Sequence, residues 1–386
     1  MKRFLSLFVM FLLIWVCTSN SYANATQPTE NDMHKTYFIA FQSKTDSNLV
    51  KANGGKVKRE YKYIPVIAAT LPEKAVQALA KNPKIAYIEE DAPVTTTNLA
   101  MPIIEAEATT IKATQEIPWG VSHIGATSVQ QNGYLGTGVK IGVLDTGIDY
   151  NHEDLKVSGG ISFVKGTTDF FDDNGHGTHV AGTISALNNS LGVVGVAPQA
   201  DLYAIKVLDQ SGDGRYSDII AGIEWAISNN LDIINMSLGG TKPSTTLNKA
   251  VDKAYNNGMI LVASSGNLGV GKKDTITYPA AFDSVIAVGA VDELNKRAIF
   301  SSTGKQLNIM APGVVIYSTV PGGYGYESGT SMAAPHVTGA AALVKESNPG
   351  LSNVQLIKHL TDTSIQLGES SLYGSGLVDV MNAVGK

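Results

Sequence analysis

The chain has 386 residues, 44% of them hydrophobic and 16% charged, which excludes a disordered polymer and suits a large domain with a smaller companion. Its net charge of −5 excludes a nucleic-acid binder that relies on basic phosphate contacts. The single cysteine, Cys17, excludes an intramolecular disulfide, a Cys zinc site and a CxxC redox centre.

Lys2 and Arg3 precede an apolar run over residues 4–16. That run is shorter than the ~20 residues a membrane-spanning helix needs. Ser21 and Ala23, or Ala23 and Ala25, supply the small-x-small pattern of a secretory cleavage site. Residues 1–25 are therefore predicted to be a signal peptide, implying a secreted, extracellular product without a stable membrane anchor. Val16 is too bulky to precede a lipid-anchored cysteine.

Residues 34–94 read as a small α+β module. Strands are predicted over 35–42, 56–63, 64–71 and 84–89. A helix starts at Pro72-Glu73 with Ala75, Leu79 and Ala80 on one side. Little chain lies between Gln42 and Gly54, so any helix there is short. So small a module has a marginal core and needs a partner surface. Residues 95–113 show no period and are predicted to be a linker.

From 114 to 386 strand-like and helix-like runs alternate. Strands are predicted over 139–144, 202–208, 231–236, 259–264 and 284–291. Helices are predicted over 176–187, 216–229, 245–257, 331–347 and 353–361. Apolar runs such as VKIGVL suit strands buried on both faces. The rhythm predicts an α/β domain with a doubly wound, mainly parallel sheet, whose ligands bind beyond the carboxyl ends of the strands. This part carries 24 Asp/Glu against 16 Lys/Arg, which leaves room for a bound cation.

Four residues at element ends carry candidate chemistry. Asp145 closes an apolar strand, where a carboxylate is costly unless paired, although it could equally cap a turn. His176 lies between Gly175 and Gly177 at a helix start, with room for a substrate. His179, one turn later, reads as a locally bonded helix residue. Ser331 opens an apolar helix, where the dipole stabilises developing negative charge; the plainer reading is an N-cap. Asn267 follows a strand, where its amide could donate to an oxyanion, although Gly-Asn is also a common turn. Together they form the set that an activated serine needs, in the order Asp, His, Ser.

VLDTGID around Asp145, NGHGTHVAGT around His176 and GTSMAAPHVTGAAAL around Ser331 resemble the three signature blocks of the subtilisin family of serine proteases. The similarity runs from about Gln115 to Lys386. Residues 35–94 resemble that family's inhibitor-like propeptide, which implies a ferredoxin-like α+β fold. The resemblance implies that Asp145 orients His176, that His176 is the general base and that Ser331 forms the acyl-enzyme. Asn267 and the Ser331 N–H would form the oxyanion hole. Ser237, Leu238, Gly239 and Gly212, Asp213, Gly214 would be the strands that bind extended peptide. Ser237–Gly239 again, with Ser264, Ser265, Gly266 and Thr277, would line the first specificity pocket, with Leu268 at its rim. An apolar rim without an acid implies broad specificity with a preference for large apolar side chains over Lys or Arg.

The resemblance also implies a calcium ion, held by Gln115, Asp154 and Asn189 side chains and by Leu187, Leu191 and Val193 carbonyls. A second, weaker site would have Asn308 at its usual carboxylate position. The expected product is a monomeric endopeptidase acting on polypeptides. Its own propeptide would serve as intramolecular chaperone and inhibitor, with processing between about 96 and 114. A metal-dependent hydrolase built on His176, His179 and Asp145 is the rival reading. It lacks an HExxH pattern.

Overall fold

The computed structural model describes residues 35–96, 114–271 and 274–385. The signal-like segment 1–25 and linker residues 97–113 lie outside the described residues.

The N-terminal module runs β1 (Lys35–Phe41), α1 (Ser47–Ala52), β2 (Lys56–Glu60), β3 (Val66–Leu71), α2 (Glu73–Leu79) and β4 (Ile85–Glu90). Its four strands pair in the order β2-β3-β1-β4, all antiparallel. The short α1 starts behind Asp46, whose carboxylate accepts the Leu49 N–H at 3.0 Å. Alternation along β1 sends side chains to both faces. Ile39 and Phe41 join Val50, Ile67, Leu71 and Leu79 in the module's own core. Phe38 and Ala40, with Val66 and Ala68, join the core of the large domain. The partner surface that so small a module requires is thus the rest of its own chain.

After β4 comes a further strand, β5 (Pro93–Thr96), which reaches two residues into the stretch predicted as linker. The large domain then follows as α3 (Trp119–His123), α4 (Ala126–Gln131), β6 (Lys140–Asp145), β7 (Val157–Ser162), α5 (His176–Ser185), β8 (Asp201–Lys206), β9 (Asp213–Arg215) and α6 (Tyr216–Ser228). Next are β10 (Ile233–Met236), β11 (Leu238–Gly239), α7 (Thr245–Asn256), β12 (Ile260–Ser264), β13 (Ile286–Val291) and β14 (Leu307–Pro312). The hairpin β15 (Ile316–Val320) and β16 (Gly323–Glu327) leads into α8 (Thr330–Ser347) and α9 (Asn353–Asp362).

Seven strands form a sheet in the order β14-β13-β12-β10-β6-β8-β7, and every pair is parallel. From β6 the chain builds outward to β8 and β7; from β10 it builds the other way. The strand order therefore reverses between β6 and β10, and the crevice beyond their carboxyl ends is where such sheets bind ligands. Asp145 ends β6 and Ser237 follows β10. The five predicted central strands are present. The two missed strands, β7 and β14, are the sheet edges. Gly159-Gly160 in one and Pro312 in the other dilute the apolar signal. Helix α8 runs buried along the sheet, and its small residues permit the approach: a Cβ on Gly339 would come within 2.5 Å of Val196 Cβ.

The module docks by capping helices. Asp91 Oδ1 accepts the Ser217 N–H of α6 at 3.0 Å, and Glu89 Oε2 accepts the Thr245 N–H of α7 at 2.9 Å. The first-turn N–H groups of a helix lack internal acceptors, so two carboxylates at two helix starts satisfy them and the dipoles together. Reciprocally, Glu224 of α6 accepts the Lys62 and Tyr63 N–H groups at 2.9 and 2.6 Å. Tyr61, buried between the two parts, donates its hydroxyl to Ser217 O at 2.9 Å.

Candidate active site

Asp145 and His176 are both buried, and His176 Nδ1 lies 2.7 Å from Asp145 Oδ1. The same oxygen accepts the Thr146 N–H at 2.7 Å. Asp172, which sequence reasoning missed, shapes the loop that delivers His176. Its buried carboxylate accepts the Asn174, Gly175 and Thr178 N–H groups and the Thr146 and Thr178 hydroxyls. The adjacent acids Asp172-Asp173 just before NGHG were the available signal. Burial is the largest influence on the His176 pKa and lowers it. The charge and hydrogen bond of Asp145, with the charges of Glu327 and Asp172, outweigh burial and push the imidazole up to about 9.

Ser331 sits in the first turn of α8. Its hydroxyl donates to Ser237 O at 3.2 Å, while His176 Nε2 is buried without a hydrogen-bond partner. The serine–imidazole bond expected from the sequence is not made in this conformation; such bonds commonly tighten only with substrate. Pro335 explains part of the local build. It has no N–H, so the Ser331 carbonyl loses its helical donor. The Ser237 hydroxyl supplies one instead, at 2.8 Å, and itself accepts from Asn235 Nδ2 at 2.9 Å. The strand end after β10 is thereby bonded to the helix start.

Asn267 Oδ1 accepts both the Thr330 N–H, at 3.0 Å, and the Thr330 hydroxyl, at 2.9 Å. With its oxygen held, the amide presents its NH2 group on the other side. Thr330 was missed by sequence reasoning. Its hydroxyl also accepts the Gly266 N–H at 3.2 Å, tying three segments together.

The expected peptide-binding strands, at 212–214 and 237–239, flank a segment of the chain itself. β5 lies between β9 and β11, antiparallel to both. Val94 faces Gly214, Thr95 faces Asp213 and Gly239, and Thr96 faces Leu238. The Thr96 N–H donates to Gly212 O at 2.9 Å. Val94 is buried. An extended segment adding itself to two strand edges is the geometry of peptide recognition by β-augmentation.

Residues 136–376 match the model of the subtilase family, and residues 19–97 match that of peptidase inhibitor I9. Subtilisin E of Bacillus subtilis strain 168 is 48% identical over 387 residues, covering 98% of this chain and 97% of that protein. An alkaline protease of Alkalihalobacillus alcalophilus is 46% identical and alkaline elastase YaB of a Bacillus strain 44%, each covering 95% of both chains. The chain belongs to the subtilase family. It is a subtilisin-like serine endopeptidase made with an inhibitor-type propeptide.

In this subtilase, Ser265, Gly266 and Thr277 come together, and the Gly266 N–H donates to the Thr330 hydroxyl at the start of α8. The Thr277 N–H donates to Ser265 O at 2.9 Å. Gly266 has φ +106°, and a Cβ there would come within 2.8 Å of Thr277 Cγ2. Leu268 is 58% exposed. His179 does not bond locally as its sequence reading implied: Nε2 lies 3.0 Å from Ile316 O, far along the chain on β15, because α5 packs against that hairpin, and burial lowers the His179 pKa. Among the described residues no three His, Cys, Asp or Glu side chains cluster as metal ligands.

The loop over 187–193 curls beside Asp154 and Gln115. Gln115 Nε2 donates to Leu187 O at 2.6 Å and to Val193 O at 3.0 Å, so the two carbonyls converge on one point. Asp154 Oδ2 accepts the Val193 N–H at 2.9 Å and the Tyr324 hydroxyl at 3.3 Å; Oδ1 is buried without a partner. Burial above all raises the Asp154 pKa, to about 6. Asn189 Oδ1 accepts the Leu191 N–H at 2.9 Å. One carboxylate among neutral oxygens fits a hard cation such as calcium. Asn308 Oδ1 accepts the Ala287 N–H at 2.7 Å within the sheet.

Proposed function

We propose that Asp145, His176, Ser331 and Asn267 carry out peptide-bond hydrolysis through an acyl-enzyme. The observation that carries the reading is the buried 2.7 Å His176–Asp145 contact at the start of α5, a helix packed against α8, whose first turn holds Ser331. Asp145 holds the His176 tautomer and stabilises the imidazolium. His176 Nε2 takes the Ser331 proton and returns it to the leaving amine. The Asn267 amide and the Ser331 N–H receive the oxyanion. The extended substrate replaces β5 between β9 and β11, and its side chain before the scissile bond enters the pocket at 264–266 and Thr277. These linings are neutral, so an apolar side chain is preferred there to Lys or Arg.

Calcium is proposed at the 187–193 loop, held by Gln115, Asp154, Asn189 and the Leu187, Leu191 and Val193 carbonyls. The ion would supply positive charge against Asp154, whose buried Oδ1 has no partner, and would tie the loop to the start of the domain. Gln115 would present its amide oxygen in place of its NH2. The N-terminal 25 residues are proposed to direct secretion, and the enzyme to act as a monomer without a membrane anchor. The module at 34–94 is proposed to template folding and then inhibit until cleaved within 96–114.

Expression of residues 26–386 as wild type and as Ser331→Ala, followed by chain mass over time, tests the reading. Wild type is expected to lose its N-terminal segment while the variant stays full length. Processing of both at equal rates would overturn the assignment of Ser331.

A further inference from the structure

One buried cation joins the segments that carry Asp145 and His176. Lys206 ends β8 and lies opposite Asp145 in the parallel register of β6 and β8. Its side chain is buried. Its ammonium donates to Thr146 O and to Asp173 Oδ1, the latter at 2.7 Å. Asp173 is half-exposed, so only one end of the ion pair reaches water. A buried ammonium is expensive to desolvate, and replacing such a pair by apolar packing is often neutral or stabilising. Stability alone therefore accounts poorly for a lysine here.

The position of its two acceptors accounts for it better. Thr146 follows Asp145 directly and donates its N–H to Asp145 Oδ1 at 2.7 Å. Its hydroxyl donates to Asp172 Oδ1 at 2.8 Å and accepts the Gly177 N–H at 2.9 Å. Asp173 lies three residues before His176, in the loop between β7 and α5. Its neighbour Asn174 accepts the His176 N–H through Oδ1 at 3.2 Å. The backbone of Lys206 is itself fixed in the sheet, paired with Asp145 on one side and Ser162 on the other. Lys206 thus bridges the strand end that carries the carboxylate and the loop that carries the imidazole. The 2.7 Å contact between Asp145 and His176 tolerates little drift of either segment.

We propose that Lys206 is a positioning residue for the reaction: its ammonium, held between Thr146 O and Asp173, fixes the His176 loop against the end of β6 and so keeps the imidazole aligned on Asp145. Asp173 is the loop's own half of this clasp. The inference rests on the Asp145–His176–Ser331 reading.

The test measures kcat, KM and the pH profile of kcat/KM on a chromogenic peptide for processed wild type, Lys206→Met and Asp173→Asn. Met keeps an unbranched stem and removes the ammonium. Lys206→Met is expected to lower kcat about 10²-fold with KM within about twofold, since a small misalignment of a reacting group is costly. Its pH profile is expected to shift to lower pH. Asp145 leads Glu327 and Asp172 in favouring the imidazolium, and a slackened contact favours it less. A lysine acting by charge alone gives the opposite shift, because removing a nearby cation favours the imidazolium. Asp173→Asn is expected to cost about fivefold in kcat, and the double variant no more than Lys206→Met alone. An unchanged kcat in Lys206→Met, or a profile shifted to higher pH, overturns the proposal. If Lys206→Met does not fold, Asp173→Asn decides: a kcat equal to wild type, or a loss confined to KM, counts against the clasp. Activity retained by Ser331→Ala would instead overturn the underlying triad.

Discussion

In the proposed mechanism His176 must be neutral to accept the Ser331 proton, and Asp145, Glu327 and Asp172 together raise its pKa to about 9 despite burial. A raised base pKa means that the active form is lost as pH falls. The expected kcat/KM therefore climbs through the alkaline range, with its midpoint above the ordinary imidazole value. A profile already flat at pH 7 would contradict it. Asp145→Asn removes the partner that holds the tautomer, and kcat is expected to fall about 10⁴-fold with the fold intact. Asn267→Ala removes one oxyanion donor, and a loss of about 10²–10³ in kcat with KM little changed is expected. Equal losses in kcat and affinity would point to substrate binding instead.

At the scale of elements, the propeptide holds by matching carboxylates to helix starts and a strand to strand edges. Glu89 and Asp91 meet α7 and α6, and β5 fills the groove between β9 and β11. Removing one such cap costs about 1–2 kcal/mol. Asp91→Ala is accordingly expected to weaken propeptide inhibition by roughly five- to thirtyfold, read from how early activity appears during self-processing. An unchanged time course would show that the β5 pairing alone holds the module. The Ser237–Ser331 link is a second element-scale device, since it replaces the helical bond that Pro335 removes. It joins the strand end after β10 to the start of α8, so the two segments keep a common register.

At the scale of the whole molecule, a thiol-free domain must draw stability from packing and from the proposed cation. A ligand at a hundred times its dissociation constant stabilises the folded state by about 2.7 kcal/mol. For a domain of this size that is worth about 5–10 °C. Calcium is therefore expected to raise the Tm of the processed enzyme, and a chelator to lower it. Equal melting temperatures in both conditions would count against the 187–193 site. Asp154→Asn is expected to abolish the difference between the two conditions, since it removes the single carboxylate of the set.

Much of this was legible in the one-dimensional pattern. The five central strands and five long helices follow from apolar period and length, because parallel strands buried on both faces are written as unbroken apolar runs. The residues Asp145, His176, Asn267 and Ser331 stand at element ends in motifs long enough to be read directly. Edge strands β7 and β14 were not legible, because Gly and Pro are tolerated where one side of a strand is unpaired. Nor were Asp172 and Thr330, because a carboxylate or hydroxyl that holds another residue carries little pattern of its own; the adjacent acids before NGHG were the one hint of Asp172. Apolar period and turn residues along the chain set which local elements form and which chemistry-bearing residues end them. That Thr95 and Thr96 lie between β9 and β11, and that Ser331 donates to Ser237, follows from the fold alone. Those outcomes depend on contacts between segments 94 or more residues apart, whose geometry is set by packing rather than by neighbours in the chain.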